Sequence, residues 1–116
     1  MASPEFHEVR ARLRRFVDER DWDAFHAPKD LALSLSIEAA ELLEIFQWRH
    51  PSALDLTPED RSRIAEELAD VTMYAMLLAD KAGVDLLVAV DEKLRANAQK
   101  YPVEKARGRS EKYDRL

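Results

Sequence analysis

Four acidic side chains have a spacing that suits the binding of a divalent cation. Glu38 and Glu41 lie three residues apart, and Glu67 and Asp70 repeat that spacing further along the chain. Residues three apart on an α-helix share one face, so each pair would present two carboxylates side by side. Nearly all neighbours of both pairs are apolar, and an unpaired carboxylate is costly to desolvate. The two pairs therefore predict a site where a cation neutralises converging carboxylates.

Magnesium is the cation that this set of ligands favours, because Mg²⁺ prefers oxygen ligands and keeps water molecules that substrate phosphates can replace. A carboxylate-bridged di-iron site would use Glu-x-x-His pairs, and no histidine of this chain follows a glutamate at that spacing. An isolated Glu-x-x-Glu pair is usually only a solvated helix face. Its repetition on a second apolar segment favours the metal site, while a non-catalytic helical oligomerisation module with acids on a wet rim remains the alternative.

Helices are the elements expected to position these acids, because apolar residues recur at helical spacing almost throughout the chain. With only two glycines and five prolines, the sequence favours long helices over a β fold with many turns. We predict helices over about residues 4–20, 28–48, 58–82 and 85–100. Ser3 is the expected cap of the first helix, and Thr57, Pro58 and Asp60 have the types expected at the start of the third. After Pro102 we expect an irregular polar arm.

Composition limits the classes of protein that the chain can represent. It has 116 residues, of which 47% are hydrophobic and 35% charged, as in a single globular domain over residues 1–116 with a helical core over 4–101. The chain has no cysteine, which excludes disulfides and thiolate metal sites. Its net charge of −5 disfavours stable nucleic-acid binding, and no apolar run approaches membrane-spanning length. Without a signal peptide pattern, we expect a cytoplasmic protein that does not bind membranes.

Other side chains are candidates for contact with a phosphorylated substrate. Trp22 and His26 lie in an aromatic loop between the first two helices, where they either anchor the loop or line a pocket. Tyr74 follows Asp70 by four residues and shares its face. A polar stripe on the predicted fourth helix could hold phosphate oxygens, although the same spacing fits an ordinary outer face. The stripe consists of Lys93, Asn97 and Tyr101.

The chain resembles the all-α nucleotide pyrophosphohydrolases of the MazG type, and within them it is most similar to the dCTP pyrophosphatases. The motif of that family is Glu-x-x-Glu followed, after a variable gap, by Glu-x-x-Asp. Here it reads Glu38, Glu41, Glu67 and Asp70. Segments 20–28, 44–48, 101–103 and 107–113 also resemble the dCTP enzymes, so the resemblance covers nearly the whole chain. Leu13 stands where the animal dCTP enzymes carry a histidine, a difference that bears on base preference.

The resemblance implies a four-helix MazG-like bundle that assembles as a homotetramer with sites between subunits. It implies hydrolysis of a (deoxy)nucleoside triphosphate, dCTP or a modified dCTP, to the monophosphate and pyrophosphate, which is a house-cleaning role in nucleotide metabolism. The four acids of the motif would bind Mg²⁺. We expect Glu41, or else Glu38, to accept the proton of the attacking water. The base and sugar would be enclosed by Trp22, His26 and Trp48, and the phosphates would lie near Tyr74, Lys93, Asn97 and Tyr101.

Overall fold

A computed structural model describes residues 3–116, which form five α-helices and three short 3₁₀-helices without a β-strand. The α-helices are α1 (Phe6–Glu19), α2 (Pro28–Glu44), α3 (Pro58–Ala82), α4 (Leu86–Lys100) and α5 (Val103–Ala106). The 3₁₀-helices are Trp22–Phe25, Ala53–Asp55 and Tyr113–Arg115. The predicted all-helical class is confirmed. Within the described residues, none of the helices combines the length and apolar character needed to cross a membrane.

The chain divides into two compact units, the first ending at Gly83 and the second beginning at Val84. In the first unit α2 packs along α3, and α1 also contacts α3. One side chain from each helix forms the buried centre of this unit, namely Val17, Leu31 and Leu77. Burying such a side chain contributes roughly 1.5–3 kcal/mol. This small core holds α1, α2 and α3 together. The acidic pairs lie on α2 and α3, and the aromatic loop connects α1 to α2.

The predicted start of α3, with Thr57 as its cap, is confirmed. The Thr57 hydroxyl accepts a hydrogen bond from the Asp60 amide, and the Asp60 carboxylate accepts one from the Thr57 amide, each at 3.0 Å. Asp60 is only 6% exposed and also accepts two hydrogen bonds from the Arg49 guanidinium, at 2.8 and 3.0 Å. The bonds from Arg49, followed by those from Thr57, lower the pKa of the Asp60 carboxyl. The other end of α3 is closed by Gly83 in the left-handed conformation, at φ 69°.

Two other predicted helix ends are wrong. The cap of α1 is Glu5, not Ser3, and α2 ends at Glu44 although its helical pattern was expected to continue to Trp48. After Glu44 the chain tightens into turns, and Trp48 adopts a left-handed φ of 65°. The amides of residues 45–47 donate to carbonyls three residues back, a tighter pattern than that of an α-helix, and Arg49, next to Trp48, is bound to Asp60 at the start of α3. A contact distant in sequence therefore accompanies the early end of α2.

The second unit contains α4 and the polar arm. Asp85 caps α4 by accepting a hydrogen bond from the Val88 amide at 3.2 Å. The arm is more regular than expected, because α5 and the last 3₁₀-helix both lie in it. The Tyr113 ring packs edge-on against Tyr101 with the centroids 6.1 Å apart, and the Lys100 ammonium lies 5.1 Å from the Tyr113 centroid. The predicted single domain over residues 1–116 stays a prediction.

Candidate active site

Packing of α2 on α3 brings together three of the four acids of the motif. One carboxylate oxygen each from Glu38, Glu67 and Asp70 lies within 4.8 Å of the other two. Glu38 belongs to α2, whereas Glu67 and Asp70 lie one turn apart on α3. All three residues are partly buried. The helices thus create a compact cluster of carboxylates inside the first unit, which we call the acid cluster.

The acid cluster lacks a partner of opposite charge among the described residues. Glu38 Oε2 and Glu67 Oε2 are buried and accept no hydrogen bond there, and none of the ion pairs in residues 3–116 includes a member of the cluster. Burial and then the neighbouring acids, Glu41 first, raise the pKa of Glu38 to about 7. Burial and then Glu41 also raise the pKa of Glu67. These carboxylates are therefore placed where negative charge is unfavourable without a bound cation.

Glu41 is exposed and is not one of the three residues whose oxygens converge. It is nevertheless close enough for its charge to raise the pKa of both Glu38 and Glu67. The fourth acid of the motif thus lies beside the acid cluster on its solvent side.

A cavity of about 120 Å³ opens next to the acid cluster, and Glu38 and Asp70 form part of its wall. Three of the residues predicted to contact substrate also line it, namely Trp22, His26 and Tyr74. The rest of the lining is apolar and consists of Leu13, Phe16, Val17, Met73 and Leu77. Carboxylates, aromatic rings and aliphatic side chains therefore line one cavity.

The aromatic loop contributes two side chains to the cavity lining, Trp22 and His26, and their contacts differ. The Trp22 indole packs edge-on against Phe16 of α1, with the ring centroids 5.6 Å apart. His26 Nδ1 is buried and has no hydrogen-bond partner among the described residues. His26 therefore lines the cavity with one ring nitrogen whose hydrogen-bonding capacity is unused among the described residues.

Apart from Leu13, which the resemblance singled out for base preference, sequence reasoning missed the apolar part of this lining. Phe16 lies in the first predicted helix, and Met73 lies in the apolar run after Asp70. A side chain that faces a cavity beside the core follows the same helical period as one inside the core. For Met73 the available signal was its position, three residues after Asp70 and hence on the same face.

Four of the predicted substrate residues are not in this cavity. Trp48 is 92% exposed and is absent from the cavity wall. The other three belong to the second unit, where Lys93 and Asn97 lie on α4 and Tyr101 at its C-cap. Their contacts with substrate stay predictions, as do the roles of the residues around the cavity.

An all-helical chain with clustered carboxylates beside an aromatic cavity has a counterpart among known families. The model of the MazG-like family matches residues 33–116, which include both acidic pairs. The chain belongs to the MazG-like family.

Individual relatives specify this membership further. Human dCTP pyrophosphatase 1 is 40% identical over 116 residues, which cover 97% of this chain and 68% of the human protein. The mouse enzyme of the same name shows the same identity and coverage. The crystal structure of a pyrophosphatase from Archaeoglobus fulgidus DSM 4304 superposes with a TM-score of 0.75 at 41% identity, covering 88% of this chain and 98% of that one. The predicted resemblance, and the prediction that the chain is an enzyme of this kind, are confirmed.

Proposed function

We propose that this chain is a nucleoside triphosphate pyrophosphohydrolase that converts dCTP, or dCTP modified on its base, to the monophosphate and pyrophosphate. The observation that carries the proposal is the acid cluster, with its two unpartnered buried oxygens, at the wall of a cavity lined by aromatic rings. One end of this arrangement suits a metal-bound polyphosphate, and the other suits a base. The dCTP pyrophosphatases that resemble the chain support the same choice of substrate.

Magnesium fits the ligands that the first unit offers. The available donors are carboxylate oxygens without a histidine or thiolate among them, which suits a hard cation. The residues proposed to hold the ion are Glu38, Glu67 and Asp70, with Glu41 as a fourth ligand or a neighbour. Bound Mg²⁺ would offset charge on the phosphate oxygens and lower the pKa of a bound water. The buried oxygens of Glu38 and Glu67 are suited to this role because they have no other partner.

Glu41 is the residue we propose as proton acceptor for the attacking water. Its carboxylate lies beside the acid cluster but is exposed and outside the group of three converging oxygens. A carboxylate not fully used as a ligand keeps a lone pair for the proton. Glu38 is the second choice.

The apolar side of the cavity is proposed to receive the base. Stacking of a base on an aromatic side chain is worth about 1–3 kcal/mol, and Trp22 offers aromatic surface there, whereas Tyr74 is proposed to lie near the phosphates. His26 can hydrogen-bond a polar edge of the base through its unpartnered nitrogen. We retain the proposal that Trp48 contributes to base binding and that the polar stripe of α4 contacts the phosphates.

A homotetramer is proposed because the cavity and the core of one chain are both small. Its volume of about 120 Å³ is below the roughly 300–1,000 Å³ of pockets that enclose a drug-sized ligand. Large apolar side chains are exposed on the two helices that carry the acids, among them Leu33, Ile37, Leu43 and Leu68. Several large exposed apolar side chains on neighbouring helices are consistent with a protein interface. A second copy of the chain would cover it and complete the nucleotide site.

A panel of substrates tests the proposed function. The canonical nucleoside triphosphates and several 5-modified cytidine nucleotides are incubated with the protein and Mg²⁺, or with a chelator, and pyrophosphate release is measured. We expect release that requires Mg²⁺ and is fastest with dCTP or a modified dCTP. If no nucleotide yields pyrophosphate and none raises the melting temperature, the non-catalytic helical module is the better description. Light scattering coupled to size exclusion measures the mass and thereby tests the tetramer.

A further inference from the structure

We propose that Asp23 is a positioning residue that holds the aromatic segment, residues 22–26, against the rest of the first unit and so forms the wall of the cavity. The inference rests on the proposed function, because it concerns the same site. Asp23 does not line the cavity, but Trp22 and His26 do, one on each side of it in sequence. Any effect of Asp23 on a nucleotide therefore acts through these neighbours.

The contacts of Asp23 connect three elements. Its Oδ1 accepts from Arg14 Nη2 of α1 at 3.0 Å and from Lys81 Nζ in the last turn of α3 at 2.9 Å. Its backbone carbonyl accepts from the amide of His26 at 3.1 Å. The hydrogen bond from Lys81 is the first cause of a lowered pKa for Asp23, so the carboxylate keeps its charge near neutral pH. One residue thus connects the aromatic segment to both neighbouring helices.

The aromatic segment has little else to hold it. None of the residues of its 3₁₀-helix is buried, and Phe25 is 71% exposed. The chain enters the segment through Asp21, whose φ of 52° is unusual for a residue other than glycine. The Trp22 ring has an edge-on contact with Phe16 but is still 44% exposed, and the His26 amide donates to the Asp23 carbonyl within the segment. Among the hydrogen bonds and ion pairs of the described residues, those of the Asp23 side chain are the ones that join this segment to α1 and α3.

The solvent exposure of the Asp23 side chain indicates that it positions the segment more than it stabilises the fold. The Asp23 side chain is 54% exposed, and ion pairs in such settings contribute little to stability because solvent screens them. A small displacement of a binding wall nevertheless weakens a ligand, because the contacts depend on close geometry. Loss of Asp23 should consequently change nucleotide binding more than it changes melting.

The test uses the full chain with Asp23→Asn and two matched controls. Asp18→Asn removes another partner of Arg14, and Asp80→Asn removes the partner of Arg10 next to Lys81, but neither residue belongs to the aromatic segment. We expect Asp23→Asn to raise KM for the preferred nucleotide about tenfold with kcat changed less than about twofold. Lys81→Met should reproduce the effect, Asp23→Glu should restore most of the affinity, and both controls should match the wild type. An unchanged KM in Asp23→Asn, or an equal rise in the controls, overturns the proposal.

A second measurement does not depend on activity. The chain has two tryptophans, so Trp48→Phe leaves Trp22 as the one fluorophore of this kind. In that background Asp23→Asn should increase acrylamide quenching of Trp22, while Asp80→Asn should not. If quenching increases although the wild type hydrolyses no nucleotide, the proposed function fails and the positioning role stands. If quenching does not change, the positioning role fails whatever the activity.

Discussion

Two groups of acids in the first unit are treated in opposite ways by the fold. At the start of α3, buried Asp60 receives hydrogen bonds from Arg49 and from the Thr57 amide, and its pKa is lowered. Two turns later on the same helix, Glu67 has a buried oxygen without a partner, as does Glu38 opposite it, and both pKa values are raised. The fold supplies a cation from its own side chains where an acid has a structural role. At the acid cluster, none of the described side chains supplies a positive charge.

The largest expected effect follows from removing charge in the acid cluster. Glu67→Gln and Asp70→Asn should each reduce pyrophosphate release by about 100-fold or more, since a ligand of the proposed metal is lost. Without metal, both variants should melt at the wild-type temperature or above it, because each substitution reduces the repulsion among the carboxylates of the acid cluster. Glu66→Gln changes the exposed residue next to Glu67 and should retain wild-type activity. Steady-state kinetics and melting curves check these outcomes, and retention of most activity by Glu67→Gln would contradict the metal site.

Removing the charge of Asp60 should lower stability without affecting the metal site, the opposite of the effect expected for the acid cluster. Asp60→Asn loses the ion pair with Arg49 and weakens the cap of α3, which should lower the melting temperature by about 10 °C. The apparent affinity for Mg²⁺ should not change. Glu59→Gln, at the neighbouring exposed position in the same turn, is the control and should melt like the wild type. Equal melting temperatures for the Asp60 and Glu59 variants would remove the contrast between the two groups of acids.

Magnesium should act on one group of acids alone. Saturating Mg²⁺ should raise the melting temperature of the wild type by about 5 °C. An ion that binds the folded chain but not the unfolded chain stabilises the folded state. Asp60→Asn should show the same increase from its lower starting point, while Glu67→Gln should show little. Differential scanning fluorimetry with and without a chelator measures both. An equal increase in Glu67→Gln would place the ion elsewhere.

The two groups of acids should also give opposite dependences of stability on pH in chelator. Folding lowers the pKa of Asp60 from its ordinary value of 3.8, so its contribution to stability is present above that pH and is lost as the pH falls. The pKa of Glu38 rises from 4.5 to about 7, so stability decreases as the pH rises through that interval. In a plot of melting temperature against pH, Asp60→Asn should reduce the slope on the acid side. Glu38→Gln should reduce the slope between pH 4.5 and about 7. Each effect should be a few degrees, and parallel profiles for all three proteins would contradict it.

The sequence predicted most strongly those features that depend on local spacing. The all-helical class followed from apolar periodicity, and the start of α3 from the types of Thr57, Pro58 and Asp60. The spacing of the acids also predicted that Glu67 and Asp70 would share a face. Their approach to Glu38 required two helices to pack together, which the repeated pair suggested and the α2–α3 contact provides.

Features that depend on contacts distant in sequence could not be predicted in the same way. Asp60 was anticipated as a capping acid, but nothing local identifies Arg49 as its second partner or ends α2 at Glu44. Phe16 has the helical period of a core residue, and only the folded chain distinguishes the cavity from the core. The same holds for Asp23, whose partners Arg14 and Lys81 lie on different helices.

The left-handed backbone of Trp48 allows its ring to be studied separately from its conformation. A side chain at φ 65° introduces strain of about 1 kcal/mol that glycine would not have. Trp48→Gly and Trp48→Ala both delete an indole that is 92% exposed, but only glycine relieves that strain. We expect the glycine variant to be the more stable of the two, with equal loss of nucleotide affinity. The pair of variants would then assign the affinity to the indole alone, and binding would explain why this glycine-like position carries a tryptophan.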